Sequence, residues 1–519
     1  MILRHTTQFF LAFLAALLLL PPNHAVAQDA KDGKKAASKP AAASSEKPAA
    51  KKGAKAPMAK AATKPPANTK EETIIHIIHD VSSQQVQQTI EKLVSFGNRS
   101  TLSVNNPGAA TSDKGIVAAR NWIKSEFERY STACGGCLEV KTDTFIEQPK
   151  GPRDRITQPT EIQNVYAILR GTDPAQAKRI FLVTGHYDSR NSDNANTTDP
   201  APGANDDGSG TAVSLECARV LSKHKFPATL VFLTVAGEEQ GLNGSTHFAK
   251  MAKAEGWQLE GVLNNDIVGG NKTPGDTLQN WNWVRVFSEG LPAAASEADL
   301  RAIRAVGGEN DSASRQLARY ILEVGQTYAS FGKFTPKMIF RRDRFLRGGD
   351  HSAFNEQGFT AVRFTEYRED FNHQHQTPRK EKGVEYGDWP KYVNFDYVAN
   401  VARLNASTLA TLASGPAAPN ARLLTRDLEN DSKIEWDAVP GAVAYDVLWR
   451  KTTDPDFPEE NAVRTAQTKI DLQDSKDNVI FGVRSVGAKG QRSLIAIPAP
   501  ERTGSPVLAP TPTPQTEKK

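Results

Sequence analysis

The sequence predicts an α/β protein in which helices sandwich a mostly parallel mixed sheet, followed by a small all-β sandwich. Two observations carry that reading. From about residue 80 to Gly415, short apolar runs that stop at glycine alternate with stretches of helical periodicity, the signature of buried parallel strands joined by helices. After Pro416–Pro419 the pattern changes to period-two alternation, as in Tyr445, Val447 and Trp449 or Val479, Phe481 and Val483, which is the period of a half-buried strand.

The elements follow in order. Val86, Ile90, Leu93 and Val94, then Ile116, Ala119, Ile123 and Phe127, keep helical spacing, so two helices open the folded region. Strands are expected at Leu138–Phe145, Asn164–Leu169 and Arg179–Thr184. A helix at Thr211–Lys223 places Val213, Cys217, Val220 and Leu221 on one face, with Ser209 as its cap. Then come a strand at Thr229–Val235, a helix at about Ser245–Ala254 and a strand at Gly261–Asp266. The Gly-, Asn- and Trp-rich stretch 270–300 reads as irregular loops. A helix near Ser314–Ser330, a strand at Thr360–Phe364 and a helix from about Phe395 to Gly415 complete this part.

With 519 residues the chain exceeds one ordinary core. Residues 1–27 combine Arg4, an apolar run from Phe9 to Leu20 and Ala25-Val26-Ala27, the pattern of a secretory signal too short to span a membrane comfortably. No transmembrane segment is expected after its cleavage, and the protein is expected to be exported, periplasmic or extracellular. Residues 28–70 are almost only Ala, Lys, Pro, Ser and Gly and read as a disordered linker. Its part from 31 to 70 holds eleven lysines against Asp32 and Glu46, whereas the whole chain carries only +5, so the rest is net negative. The basic linker keeps the chain soluble or associates it with an anionic envelope surface. Nothing in the folded part suggests nucleic-acid binding. Expected domains are thus 71–415, then 418–503, with a disordered tail at 504–519. Cys134 and Cys137 lack a second pair for a zinc ribbon and read as a short disulfide, while Cys217 reads as a core residue.

The chemistry sits at strand ends. G-H-Y-D-S delivers His186 and Asp188, G-A-N-D-D-G-S-G delivers Asp206 and Asp207, G-E-E-Q-G-L-N-G-S delivers Glu238 and Glu239, and N-N-D-I-V-G delivers Asp266. Histidine and carboxylates released together form a ligand set suited to zinc. Asp188, two residues from His186, is placed to fix the tautomer of that imidazole. Each residue alone also fits an ordinary turn or helix cap. Four motifs in this order, over about residues 80–414, resemble the co-catalytic zinc exopeptidases of metallopeptidase family twenty-eight, the leucyl-aminopeptidase-like enzymes.

The resemblance implies the zinc exopeptidase fold and two Zn2+ ions. His186 and Asp266 would hold one ion, Glu239 and a later histidine the other, with Asp206 shared and Glu238 as general base. It implies a cis bond between Asp206 and Asp207, and leaves Asp207 to contact ligands or substrate. F-N-H-Q-H-Q-T-P offers His373 and His375; the family's Thr-containing turn after its last ligand favours His375. Many members carry a tyrosine just before that histidine, where this chain has Gln374, so Tyr367 is considered as its substitute. G-G-D-H-S-A-F matches a segment on the substrate side and makes Asp350 a further candidate. The implied activity is removal of N-terminal residues from peptides or proteins through a water shared by the two ions. A carboxypeptidase on the same scaffold is the alternative, for which Arg341, Arg342, Arg344 and Arg347 offer cationic groups. A single-zinc glutaminyl cyclase-like acyltransferase and a non-catalytic binding protein are the others. In the C-terminal part, W-D-A-V-P-G-A-V-A-Y-D-V and F-G-V-R-S-V resemble a fibronectin type III domain. As all implied ligands precede Pro416, this part is expected to be dispensable for small substrates.

Overall fold

Arg179–His186 is buried along its whole length, as a strand flanked by neighbours and covered on both faces must be. In the computed structural model, which describes residues 62–66, 70–328, 333–426 and 428–501, it is one of eight strands in a single twisted sheet. The strands are β1 (Leu138–Glu147), β2 (Thr160–Leu169), β3 (Arg179–His186), β4 (Thr229–Val235), β5 (Gln258–Asn265), β6 (Trp283–Ser288), β7 (Thr335–Ile339) and β8 (Ala361–Glu366). Their order is β1-β2-β4-β3-β5-β8-β6-β7. The central strands β4, β3, β5 and β8 are mutually parallel. β1 and β2 run antiparallel on one side, and β6 is antiparallel to β8 on the other.

Helices α1 (Glu72–Asp80), α2 (Ser83–Ser95), α3 (Gly115–Ala133), α4 (Gly208–Leu221), α7 (Ala313–Thr327) and α9 (Phe395–Ser414) build the larger core on one face. On the other, α5 (Asn243–Ala254) and α8 (His351–Glu356) cover a second cluster around Leu182, Leu233 and Phe248. α6 (Glu297–Ala305) begins at a capping box made by Ser296 and Asp299. This is the three-layer α/β architecture around a mixed sheet. Helix α4 approaches β3 and β5 so closely that a Cβ on Gly185 would lie 2.4 Å from Gly210 C, and one on Gly210 2.0 Å from Asn265 O. Those glycines let the start of α4 reach the strand ends.

Several expectations need correction. The cap of α4 is Asp207, whose carboxylate accepts from Gly210 N at 2.9 Å; Ser209 lies inside the helix and gives its hydroxyl to Asn205 O at 2.7 Å. Among the described residues three α-helices, not two, precede β1, because Ile74, Ile77 and Ile78 bury a face of α1. The stretch 270–300 is not wholly irregular: it contains β6 and the start of α6. β7, whose Pro336 and Lys337 obscure the pattern, is an edge strand, where proline is tolerated. Residues 62–66 of the expected linker are held, since Thr63 exchanges backbone hydrogen bonds with Arg464 at 3.1 and 2.7 Å. The rest of the signal, linker and tail regions lies outside the described residues, apart from Lys70. Among the described residues no helix is long and apolar enough to cross a membrane. Cys134 and Cys137 form a disulfide, and Cys217 is buried and free.

After β8 the strands β9 (Arg379–Glu381) and β10 (Val384–Tyr386) pair antiparallel by themselves, and beyond Gly415 the chain forms two small sheets, ordered β15-β12-β11-β17 and β14-β13-β16. The strands are β11 (Ala421–Leu423), β12 (Ser432–Trp436), β13 (Ala442–Lys451), β14 (Ala462–Thr465), β15 (Lys469–Leu472), β16 (Val479–Gly487) and β17 (Ala499–Pro500). They enclose Ile434, Trp436, Val447, Phe481 and Val483. This sandwich is bound to α7 and the turn before it by buried ion pairs. Asp311 meets Arg319 and, through both its oxygens, Arg450, at 2.8 Å, and Glu323 meets Arg484 at 2.6 Å and Arg492 at 2.7 Å. Arg450→Met removes the two hydrogen bonds that tie the sandwich to Asp311, which keeps Arg319, so it should lower stability by about 2 kcal/mol. Urea unfolding of the full chain checks this; an unchanged midpoint would contradict it. Deleting the sandwich should likewise destabilise the α/β part, although no site residue lies within it.

Candidate metal centre

Parallel neighbours β4, β3, β5 and β8 end on the same edge of the sheet, so the loops that leave them converge. β3 ends on His186, β5 is followed by Asp266, and β4 leads through Gly237, at φ 75°, to Glu238 and Glu239. Asp206 arrives from the turn before α4, after which a cis peptide joins it to Asp207. His375 comes from the long connection after β8.

These residues form two groups, His186, Glu238 and Asp266, and Asp206, Glu239 and His375, each with one atom per residue within 4.8 Å of the others. Asp206 links them. Its Oδ1 lies 3.2 Å from His186 Nε2 and its Oδ2 lies 2.8 Å from His375 Nε2. His375 Nε2 is also 3.1 Å from Glu239 Oε1, and His186 Nε2 is 3.9 Å from Asp266 Oδ1. His186 Nε2 and Glu239 Oε1 are buried and make no hydrogen bond. Orphaned donors of this kind, with four carboxylates around two imidazoles, suit divalent cations.

Surrounding groups orient these side chains. Asp188, fully buried, faces His186 Nδ1 with its carbonyl at 3.2 Å and its carboxylate at 3.4 Å, which directs Nε2 to the centre. The other Asp188 oxygen accepts from Thr101 Oγ1 and from Glu239 N. Asp207 points away from the centre and accepts from His186 N and Ile267 N besides capping α4. Arg363, fully buried in β8, binds Asp266 at 2.8 Å. Arg190 donates to Glu239 Oε2 at 2.8 Å and meets His375 Nδ1 at 2.6 Å. Gln374 Nε2 donates to Asp206 Oδ2 at 3.1 Å.

The two neighbouring glutamates differ. Burial pushes the Glu238 carboxyl well above the usual range, against the pull of His186, and Asp266 and Asp350 push it further. For Glu239 burial is outweighed by His375 and Arg190, and its carboxyl falls below the usual range. Burial disfavours charge on His375, yet Glu239 and Asp206 raise it to about 10. Glu238 stays partly open to a cleft of about 390 Å3, while Glu239 lies beneath.

The remaining candidates are placed as follows. Asp350 is buried at the start of α8, accepts from Ser245 Oγ at 2.5 Å and is raised to about 7 by burial; it does not line the cleft. Tyr367 packs its ring edge-on against Trp283 and is also absent from the cleft lining, whereas Gln374 belongs to it. His373 stacks on Tyr392 at 3.6 Å, away from both groups. Arg344 and Arg347 line the cleft with Arg155 and Arg190; Arg341 and Arg342 do not. Sequence reasoning passed over Arg190, Arg363 and Asp388. A charged residue inside the buried run Ala361–Glu366 was the one available signal, pointing to Arg363.

The model of Peptidase family M28 matches residues 164–381, which include each member of both groups. A probable zinc metalloprotease of Pyrenophora tritici-repentis is 42% identical over 431 residues, covering 82% of this chain and 86% of that protein. Another, from Pyricularia oryzae, is 42% identical over 434 residues, covering 81% and 83%. Among solved structures, LapA of Legionella pneumophila is 21% identical with a TM-score of 0.47, covering 67% of this chain and 77% of that one. Identity at the level of the first two, over four-fifths of the sequence, shows the family: the chain belongs to peptidase family M28.

Proposed function

We propose that this chain is a zinc-dependent aminopeptidase that removes N-terminal residues from peptides. His186 and Asp266 would hold one zinc ion, Glu239 and His375 a second, and Asp206 both. The observation that carries this reading is the Asp206 carboxylate, one oxygen towards each histidine. When bound, the ions supply Lewis acidity to the scissile carbonyl and lower the pKa of the attacking water.

The protein's own part falls to few residues. Glu238, partly open to the cleft, takes a proton from the attacking water at its carboxylate and passes it to the leaving amine. Asp188 keeps the His186 proton on Nδ1, and Arg363 fixes the Asp266 carboxylate. Gln374 lines the cleft beside Asp206 and offers an amide donor at the position where many family members carry a tyrosine. The signal-like 1–27 segment favours action outside the cytoplasm, with the basic linker near an envelope surface and the sandwich in a docking role.

One observation favours a carboxypeptidase as a second reading. Arg155, Arg190, Arg344 and Arg347 line the cleft. Their guanidinium groups would suit a terminal carboxylate. A peptide panel decides between the readings. The aminopeptidase reading expects cleavage of C-amidated peptides with a free N-terminus and none of N-acetylated peptides. The reverse pattern would establish the carboxypeptidase. Loss of ammonia from N-terminal glutamine without hydrolysis would overturn both.

A further inference from the structure

The turn that carries Asp206 is gripped from two sides by side chains outside the ligand set. Arg99 is fully buried and spends its guanidinium on backbone carbonyls. Its Nε donates to Tyr187 O at 2.8 Å, its Nη1 to Leu93 O at 3.0 Å and Pro202 O at 2.7 Å, and its Nη2 to Gly203 O at 2.8 Å. From the other side, the Asp388 carboxylate accepts from Asn205 N at 2.9 Å and from Asp206 N at 2.7 Å, and its carbonyl accepts from Ala204 N at 3.1 Å. Every residue from Pro202 to Asp206 is therefore tied through its backbone, the first two to Arg99 and the next three to Asp388.

We propose that Arg99 and Asp388 are positioning residues that clamp this turn so that the two Asp206 oxygens face His186 and His375 at once. The proposal rests on the binuclear reading given above. Two features separate it from a general tie between loops. Arg99 bonds both the residue after His186 and the turn before Asp206, so it fixes the distance between one ligand and the shared one. Gly203 sits at φ +51°, and a Cβ there would lie 2.5 Å from Ser189 Cβ and 2.9 Å from Arg99 Nη2, so the turn is pressed onto the guanidinium with no slack. A carboxylate that must serve two partners tolerates less displacement than one serving a single partner. A shift of the turn that keeps one contact loses the other.

The test uses the full chain stripped of metal, titrated with Zn2+ by calorimetry and with Co2+ by visible absorption. Asp388→Asn turns an acceptor of two N–H groups into a mixed donor and acceptor. Arg99→Lys keeps the charge but cannot reach the same carbonyls. Both variants are expected to keep the wild-type circular dichroism and bind the first ion normally. The second ion should bind about tenfold to hundredfold more weakly, the usual cost of losing a group that orients a ligand. kcat should fall with that second site while KM stays near the wild-type value. The clamp is overturned if both variants bind two ions as the wild type does, or if the metal-free variants lose their circular dichroism, which would mark the pair as ties of the fold. Uptake of one ion by the wild type would instead overturn the binuclear reading.

Discussion

Glu238→Gln should leave the metal content intact and lower kcat by about a hundredfold to ten-thousandfold, the range for losing a general base. The amide keeps the size of the side chain and a hydrogen-bonding oxygen but cannot accept the proton. The geometry makes this a demanding test, because Glu238 lies close enough to His186 and Asp266 to be grouped with them as a ligand. Its partial exposure to the cleft separates it from Glu239, which is buried and turned towards His375. Glu239→Gln should therefore weaken zinc itself, since a neutral amide is the poorer ligand. Elemental analysis of the purified variants with steady-state rates decides the matter. Zinc loss from the Glu238 variant with full occupancy in the Glu239 variant would exchange the two roles.

The second large effect is expected at His375. Its Nε2 is within 3.1 Å of both Asp206 and Glu239, so His375→Ala removes one of the three donors of its group. It should strip the corresponding ion and reduce turnover by at least about a hundredfold, as loss of a donor exceeds the tenfold to hundredfold cost of an outer partner. His373→Ala removes a ring stacked on Tyr392 and a contact to Thr273. It should change metal content little. An empty site in the His373 variant and a full one in the His375 variant would reverse the assignment.

The strands that converge on this centre were legible because each is a continuous apolar run that stops where chemistry begins; β4, Thr229–Val235, has the expected ends. The edges were less legible. β7 carries Pro336 and a lysine, and β6 lies among Trp and Asn residues that break the period. The metal-group residues cluster in short motifs, and four motifs in order carry information that one does not. His375 was the hardest of them, because two histidines stand two residues apart and only the fold separates a ring on Tyr392 from one facing Asp206. Arg99, Arg190 and Asp388 bond to atoms far away in sequence, so no local pattern marks them. The ion pairs that tie the sandwich to α7 were hidden for the same reason.

Asp206 is expected to join two metal sites into one centre. The most direct measurement is the zinc content of the purified full chain, followed during stepwise removal by a chelator alongside peptide hydrolysis. Two zinc ions per chain are expected, with hydrolysis lost on their removal and regained when zinc is returned, and with an Asp206→Asn variant that fails to retain the pair. Full hydrolysis by a chain holding a single ion, or an Asp206→Asn variant that keeps both ions with wild-type affinity, would contradict it.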